Sequence, residues 1–150
     1  MSGLWRCVVL YVLLGCGGST TSSSTSKFDA WEGIWNYTIT PSGQCFGGPF
    51  SGAVTILAGS ATDTVVTEFP GDAVCYLTWT VSGNTATLQS REVCPDSIGT
   101  LAYTSGELAL TAKQISLSDT GEITDIHDPN GTFGLPMSCT FNETGVLTQN

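Results

Sequence analysis

The stretch CYLTWTVSGNTATLQ, residues 75–89, constrains the fold most strongly because its apolar and polar side chains alternate with a period of two. Its apolar positions are Cys75, Leu77, Trp79, Val81, Ala86 and Leu88. Between the two halves, Gly83-Asn84 supplies residues that tolerate positive φ, as a two-residue hairpin loop requires. The stretch therefore predicts a β-hairpin with one buried face, in which Ser82 faces Thr85 and Cys75 faces Glu92.

Other segments show similar alternation, and no stretch of the sequence has a sustained helical period. The further predicted strands are Gly33–Thr40, Phe50–Leu57, Asp63–Phe69, Leu101–Thr104, Glu107–Thr111, Gln114–Ser118, Glu122–Ile126, Met137–Asn142 and Gly145–Thr148. Ser105-Gly106 and Asp119-Thr120-Gly121 are interpreted as turns between them, since these residue types favour turns. Many short strands with regular turn signals predict an all-β domain, either an antiparallel barrel or, as the alternative, a β-sandwich.

The triplet Gly33-Ile34-Trp35 in WEGIWNYTI favours the barrel. It resembles the Gly-x-Trp of the first strand in lipocalin-like barrels, where the tryptophan plugs the closed end. The resemblance covers three residues and implies architecture alone, a small up-and-down barrel. Barrels of about eight strands hold either packed side chains or one small ligand. Core packing is the role that the sequence favours for most of the aromatic residues, and Trp35 and Trp79 are the candidates for a ligand-facing role.

The start of the chain indicates export. Arg6 precedes the apolar run Cys7–Leu14, which is far shorter than the roughly 20 residues of a membrane-spanning helix. Leu13-Leu14-Gly15-Cys16 follows and resembles the lipobox of bacterial lipoproteins. The resemblance implies a signal peptide over residues 1–15, recognition of Leu13, Leu14 and Gly15, and a covalent lipid on Cys16 that carries acyl chains such as palmitate.

The segment that follows Cys16 indicates how the domain is held. Residues 17–26 are only Gly, Ser and Thr, so residues 16–27 are predicted to be a lipidated flexible tether with a reach of about 15–20 Å. In many lipoproteins an aspartate after the cysteine retains the protein in the inner membrane. Gly17 stands there in this chain, so the resemblance implies an anchor in the outer membrane. The remaining residues, 28–150, are predicted to form the all-β domain.

The charge of the chain and its cysteines limit the classes of protein to which it can belong. The chain has 13 acidic against 4 basic side chains and a formal net charge of −9, which argues against a nucleic-acid partner. Four cysteines remain in the domain, and in an exported protein an even number indicates disulfides, here with three connectivities to choose from.

The predicted positions of the strands favour one of the three disulfide connectivities. The hairpin register brings Cys94 near Cys75, and a closed meander sets the end of the first strand beside the start of the last, which predicts Cys45–Cys139. A four-cysteine zinc site is the alternative, but the cysteines lack the close Cys-x₂₋₄-Cys spacing that such sites use. We therefore predict two disulfides, Cys75–Cys94 and Cys45–Cys139, and no metal.

The sequence contains no recognised catalytic motif. The single histidine, His127, lies in DIHDPNG, a composition typical of a turn, and no known nucleophile or zinc motif accompanies it. The predicted function is therefore a non-enzymatic, outer-membrane-anchored lipoprotein without cofactor, which binds a small apolar ligand or an envelope protein. The alternatives are an interaction protein with a filled barrel, or an envelope hydrolase that uses carboxylates, with Glu32, Glu68 and Glu107 as candidates.

Overall fold

The computed structural model describes residues 27–43, 45, 47–70, 74–96, 99–126 and 138–149, which carry nine β-strands. The strands are β1 (Gly33–Gly43), β2 (Phe50–Ala58), β3 (Thr64–Phe69), β4 (Cys75–Ser82), β5 (Thr85–Leu88), β6 (Glu92–Asp96), β7 (Gly99–Leu110), β8 (Gln114–Thr124) and β9 (Cys139–Gln149). The lipobox, most of the predicted tether and His127 lie outside the described residues. Within the described ranges, no helix has the length and apolar character needed to cross a membrane.

The strands form a single antiparallel sheet in the order β5-β4-β3-β2-β1-β9-β8-β7-β6. Pairing of β5 with β7, from Thr85↔Ala109 to Thr87↔Glu107, closes eight of these strands into an up-and-down barrel. The ninth strand, β6, pairs with the first part of β7, where Glu92 lies opposite Tyr103. The predicted all-β barrel is confirmed, and the alternative of two packed sheets is not the fold.

The β4–β5 hairpin has the predicted register at its turn. Ser82 pairs with Thr85 across a two-residue loop, in which Gly83 has a φ of 62°. Glycine adopts this conformation without the steric cost of a Cβ. Farther from the turn the prediction is wrong, because Glu92 pairs with β7 and Cys75 with Phe69 of β3. The chain leaves the hairpin after Leu88 and continues as β6.

The predicted turns at Ser105-Gly106 and Asp119-Thr120-Gly121 are also wrong. Both segments lie inside long strands, the first in β7 and the second in β8. A register shift between Tyr103 and Ser105 bends β7 there without ending it. In the same way β9 runs unbroken through the position between the two predicted strands 137–142 and 145–148. Asp119 and Gly121 are buried on the inner face, whereas Ser105 and Thr120 lie on the outer face, and the partners across the sheet keep the backbone extended at all of these positions.

Side chains from the inner face form two apolar clusters. The larger cluster contains the fully buried Trp35, Trp79 and Leu147 and is joined by Phe28 and Trp31. The turn that carries Phe28 and Trp31 precedes β1 and covers one end of the barrel, which we call the Trp31 end. The smaller cluster lies at the opposite end and consists of Cys45, Ile123, Cys139 and Phe141.

Both predicted disulfides are confirmed. Cys45 is bonded to Cys139 with a Cα–Cα distance of 5.7 Å, and Cys75 to Cys94 with 5.2 Å. The first bond links the end of β1 to the start of the neighbouring β9, and the second links β4 to β6. Both bonds therefore lie at the end of the barrel opposite Trp31, which we call the disulfide end.

Replacement of Gly121 by alanine is expected to destabilise the barrel by about 1–3 kcal/mol, because the core is already filled there. A Cβ at this position would collide with the ring of Phe141 and lie 2.6 Å from the carbonyl oxygen of Ala102. Urea denaturation of Gly121→Ala would measure the loss. Gly48→Ala is the control, since its Cβ would meet nothing within 4 Å; equal midpoints for the two variants would contradict this account of the core.

Candidate binding site in the barrel interior

Two carboxyl side chains lie inside the barrel, Asp119 on β8 and Glu143 on β9. They are direct cross-strand partners, and each is only 3% exposed. The alternation of each strand places them there, since Asp119 follows the inward-facing Leu117, and Glu143 precedes the inward-facing Leu147 on the same face. The pair thus separates, along β8 and β9, the larger apolar cluster from the smaller cluster at the disulfide end.

The two carboxyl groups hold protons far more tightly than exposed ones do. Burial, the neighbouring charge of Glu143 and a hydrogen bond between the two side chains together raise the pKa of Asp119 to about 8, and burial contributes most. Burial also raises the pKa of Glu143 to about 7, although its hydrogen bond to Asp119 acts in the opposite direction. Near neutral pH the pair therefore shares a proton, with Asp119 as the donor and Glu143 as the acceptor.

One oxygen of the pair has no partner. Asp119 Oδ1 is fully enclosed and makes no hydrogen bond. A buried polar atom without a partner costs about 1–3 kcal/mol, and such atoms are rare in folded proteins. This oxygen is therefore an enclosed acceptor for which the described part of the chain supplies no donor.

Aromatic rings surround the pair, and a glycine brings one of them close. Gly106 on β7 pairs with Asp119, and a Cβ at Gly106 would lie 3.0 Å from the indole ring of Trp79 and 3.1 Å from Asp119 Cβ. The missing side chain allows the Trp79 ring to approach Asp119. Burial, together with the charge of Glu143, raises the pKa of Tyr37 on β1. The carboxyl pair is thus flanked by the Trp79 indole, and its charge acts on the Tyr37 phenol.

A hydrogen bond fixes the Trp79 ring. Trp79 Nε1 donates to Thr67 Oγ1 at 3.0 Å, and both side chains are buried. The Thr67 hydroxyl in turn donates to the carbonyl oxygen of Leu77 at 3.5 Å. Because the indole nitrogen has a partner inside the core, the ring is held in one orientation beside the carboxyl pair.

Thr67→Val is expected to cost about 1–3 kcal/mol, since it keeps the side-chain shape but leaves the Trp79 indole nitrogen buried without an acceptor. Thermal unfolding and Trp fluorescence would measure the loss. Thr78→Val, a half-buried position on the outer face of β4, is the matched control and should change stability by a few tenths of a kcal/mol. Equal losses in both variants would contradict a structural role for the Trp79–Thr67 bond.

The structure places the residues predicted from sequence in different parts of the molecule. Trp35 and Trp79 both lie in the interior, at 1% and 0% exposure, and Trp35 Nε1 donates to the carbonyl oxygen of Trp31 at 2.8 Å. The candidate carboxylates Glu32, Glu68 and Glu107 are not brought together. Glu32 precedes β1 at the Trp31 end, whereas Glu68 and Glu107 lie on the outer faces of β3 and β7.

Asp119 and Glu143 are not among the site residues predicted from sequence, because the turn-like composition around Asp119 and the predicted break between strands at Glu143 place both outside the strands. A signal for them was present in the strict period of two. The inward positions of β8 are Ile115, Leu117, Asp119, Gly121 and Ile123, and those of β9 are Cys139, Phe141, Glu143, Gly145 and Leu147. An acidic residue in the middle of each apolar row, in matching positions, predicts a buried pair.

The acidic pair does not extend into a metal centre within the described residues. No group of three or more His, Cys, Asp or Glu side chains in these ranges is arranged to hold a metal ion. The salt bridge Arg91–Glu122, at 2.7 Å, lies on the outside of the barrel and does not reach the pair. The chemistry of the interior site is therefore that of a shared proton and a free acceptor between aromatic rings.

The fold and the site together define a closed, eight-stranded antiparallel barrel with a polar element in its interior. The chain is similar to the solved structure of EF1p2_mFAP2b bound to DFHBI, with a TM-score of 0.55 and 18% sequence identity. The likeness covers 85% of this chain and 100% of that chain, and at this identity it shows a shared barrel fold. No family model and no curated protein matches the sequence.

Proposed function

We propose that this protein is a lipoprotein of the bacterial outer membrane whose barrel binds a small, mainly apolar ligand. The observation that carries the binding role is the enclosed and unpaired Asp119 Oδ1, which lies inside a closed barrel among aromatic side chains. Small-molecule sites in proteins are mostly apolar and contain a few placed polar groups that orient the ligand. The interior of this barrel has that composition.

The membrane anchor is supported by the sequence motif. Leu13, Leu14 and Gly15 precede Cys16 in the order of a lipobox, and the Gly/Ser/Thr tract follows at once. One acyl chain binds a bilayer marginally, whereas two or three hold a protein there stably. The disulfides agree with an oxidising compartment, in which such bonds persist. The barrel would then sit within about 20 Å of the membrane surface, at the reach of its tether.

Binding without catalysis is supported by the arrangement of the carboxyl groups. Glycoside hydrolases separate their two carboxyl groups by at least about 5 Å, so that the scissile bond or a water fits between them. Asp119 and Glu143 instead share a hydrogen bond and are almost completely enclosed. The likeness to EF1p2_mFAP2b bound to DFHBI adds support, since that barrel binds a ligand. The predicted envelope hydrolase is the weaker alternative on these grounds.

A second candidate function is an interaction protein that works through its surface. It is favoured by the packing of the interior, where Trp35, Trp79 and Phe141 are less than 2% exposed. An envelope protein would then bind to the loops or the outer strands. The two candidates differ in a measurable way, because only the first requires a molecule inside the barrel.

Native mass spectrometry of the full chain, exported by a bacterial host and released from detergent micelles, separates these candidates. A binding module is expected to carry a discrete adduct that organic solvent extracts and that can be added back. A bare mass that stays bare after incubation with envelope extracts would overturn ligand binding and favour the surface role. The same spectrum reports the acyl mass on Cys16, which Cys16→Ser should remove; an unmodified Cys16 would overturn the anchor.

A further inference from the structure

We propose that the interior of the barrel selects an organic cation, an amine on an apolar body, whose N–H group donates to Asp119 Oδ1. This inference rests on the proposed ligand-binding function and names the class of its ligand. It begins from two observations: the two carboxyl side chains on neighbouring strands are enclosed, and Asp119 Oδ1 has no hydrogen-bond partner.

The acceptor chemistry of the site excludes most other ligand classes. Asp119 Oδ1 needs a donor, so a ligand without N–H or O–H leaves it unsatisfied. An anionic ligand would place like charges together in an enclosed site, where the repulsion is strongest. Between neutral and cationic donors, the cation is favoured because a hydrogen bond with an ionised donor is about twice as strong as one between neutral groups, and because the ionised member of the pair attracts it.

The surrounding rings favour the same ligand. Trp79 approaches Asp119 over Gly106. A cation within about 6 Å of an aromatic ring face gains about 0.5–2 kcal/mol, most strongly over tryptophan. A carboxylate with an indole beside it is therefore matched to an ammonium group with an apolar remainder.

The groups that face the pair set the pH dependence of this binding. Among the described residues, the titratable side chains on the neighbouring strands are Tyr37 of β1 and Tyr103 of β7, whereas Gly106 of β7 and Trp79 of β4 do not titrate. An ammonium ion binds best once the pair has lost a proton. Its affinity is therefore expected to rise between pH 5.5 and pH 8.5, a range in which an alkylamine with a pKa near 10 keeps its charge.

Phe141 is the side chain that the ligand must displace. Its ring lies over Gly121 and meets the Tyr103 ring edge to face at 5.6 Å, between the carboxyl pair and the disulfide end. A short, flexible amine is consequently a better first probe than a rigid or branched one. Hexylamine meets this requirement, and 1-hexanol and hexanoate have the same chain length with a neutral and an anionic head.

The experiment is isothermal titration of the full chain, with its disulfides intact and in one neutral detergent, by hexylamine, 1-hexanol and hexanoate at pH 8. Hexylamine is expected to bind at least tenfold more tightly than 1-hexanol, and hexanoate more weakly than both. Asp119→Asn should abolish the preference for the amine. Glu107→Gln is the matched control, since it removes one acidic charge from the outer face of β7 beside Gly106 and should keep the preference.

Several results would overturn the inference. Equal binding of 1-hexanol and hexylamine would leave apolar ligand binding intact and show that the site does not select a cation. Retention of the amine preference in Asp119→Asn would place the amine elsewhere. If the affinity of the wild-type chain for hexylamine does not rise between pH 5.5 and 8.5, the amine does not bind at the carboxyl pair. This measurement does not depend on the folding of a variant. Failure of all three probes to bind would also reject it, whereas an extractable adduct in the mass spectrum would still support the proposed function.

Discussion

Raising the pH from 4 to 9 is expected to lower the free energy of unfolding of this protein by several kcal/mol. The cause is the buried pair Asp119–Glu143, whose pKa values rise from the ordinary 3.8 and 4.5 to about 8 and about 7. A group with a raised pKa in the folded state binds protons that the unfolded chain has released. The resulting stabilisation is fully present below about pH 4 and is lost as the pH rises through 7 and 8.

The size of the effect follows from the shifts. Each unit of pKa difference corresponds to about 1.4 kcal/mol, and the two groups together are displaced by several units. Most acidic side chains act in the opposite direction, because paired carboxylates stabilise proteins above their pKa. A barrel that is more stable at pH 4–5 than at pH 8 would therefore be a distinctive signature of this pair.

Urea denaturation at pH 4.5, 6, 7.5 and 9 would measure how the free energy of unfolding depends on pH, with fluorescence of the buried tryptophans as the signal. The double variant Asp119→Asn, Glu143→Gln should flatten the dependence and be more stable than the wild type at pH 9, since it has no charge to bury. Glu107→Gln, which removes an exposed carboxylate, should leave the slope unchanged. Stability of the wild type that increases steadily from pH 4.5 to pH 9 would rule out the shared proton.

The parts of the fold that were predictable are those where local pattern and tertiary structure agree. The hairpin around Gly83-Asn84 has a period of two on both sides and a glycine where the turn needs one, so its register followed from the residues. The Cys45–Cys139 disulfide followed from the meander, because a closed barrel makes β1 and β9 neighbours. The Cys75–Cys94 disulfide was predicted from the hairpin register and forms although Glu92 pairs with β7. The all-β fold class was predictable from the alternation of apolar and polar residues alone.

The parts that were wrong share one physical cause. Asp119-Thr120-Gly121 has the composition of a turn, and that local preference is overridden by ten consecutive residue pairs with β9. Ser105-Gly106 lies in β7 because Gly106 makes room for Trp79. Both exceptions border the carboxyl pair. Local rules are most often broken where a protein places functional groups, so the errors in the sequence analysis point to the same interior site as the geometry does.

Loss of the Cys45–Cys139 disulfide is expected to cost about 5 kcal/mol, against about 3 kcal/mol for Cys75–Cys94. A disulfide stabilises a protein mainly by restricting the unfolded chain, and this effect grows with the length of the closed loop. The first bond spans 94 residues and the second 19. The paired variants Cys45→Ala, Cys139→Ala and Cys75→Ala, Cys94→Ala can be compared directly by urea denaturation. A larger loss for the shorter loop would contradict the entropic argument.

The two disulfides should also differ in their effect on the carboxyl pair. Cys45 and Cys139 belong to the small apolar cluster with Phe141, which lies between the pair and the disulfide end. Without that bond the cluster loosens and water reaches Asp119, so its pKa falls toward the ordinary value. The decline of stability between pH 4 and 9 should then become shallower in the Cys45→Ala, Cys139→Ala variant and persist in the other. Equal slopes in both variants would show that the pair is shielded from solvent by the barrel wall alone, independently of the covalent link at its end.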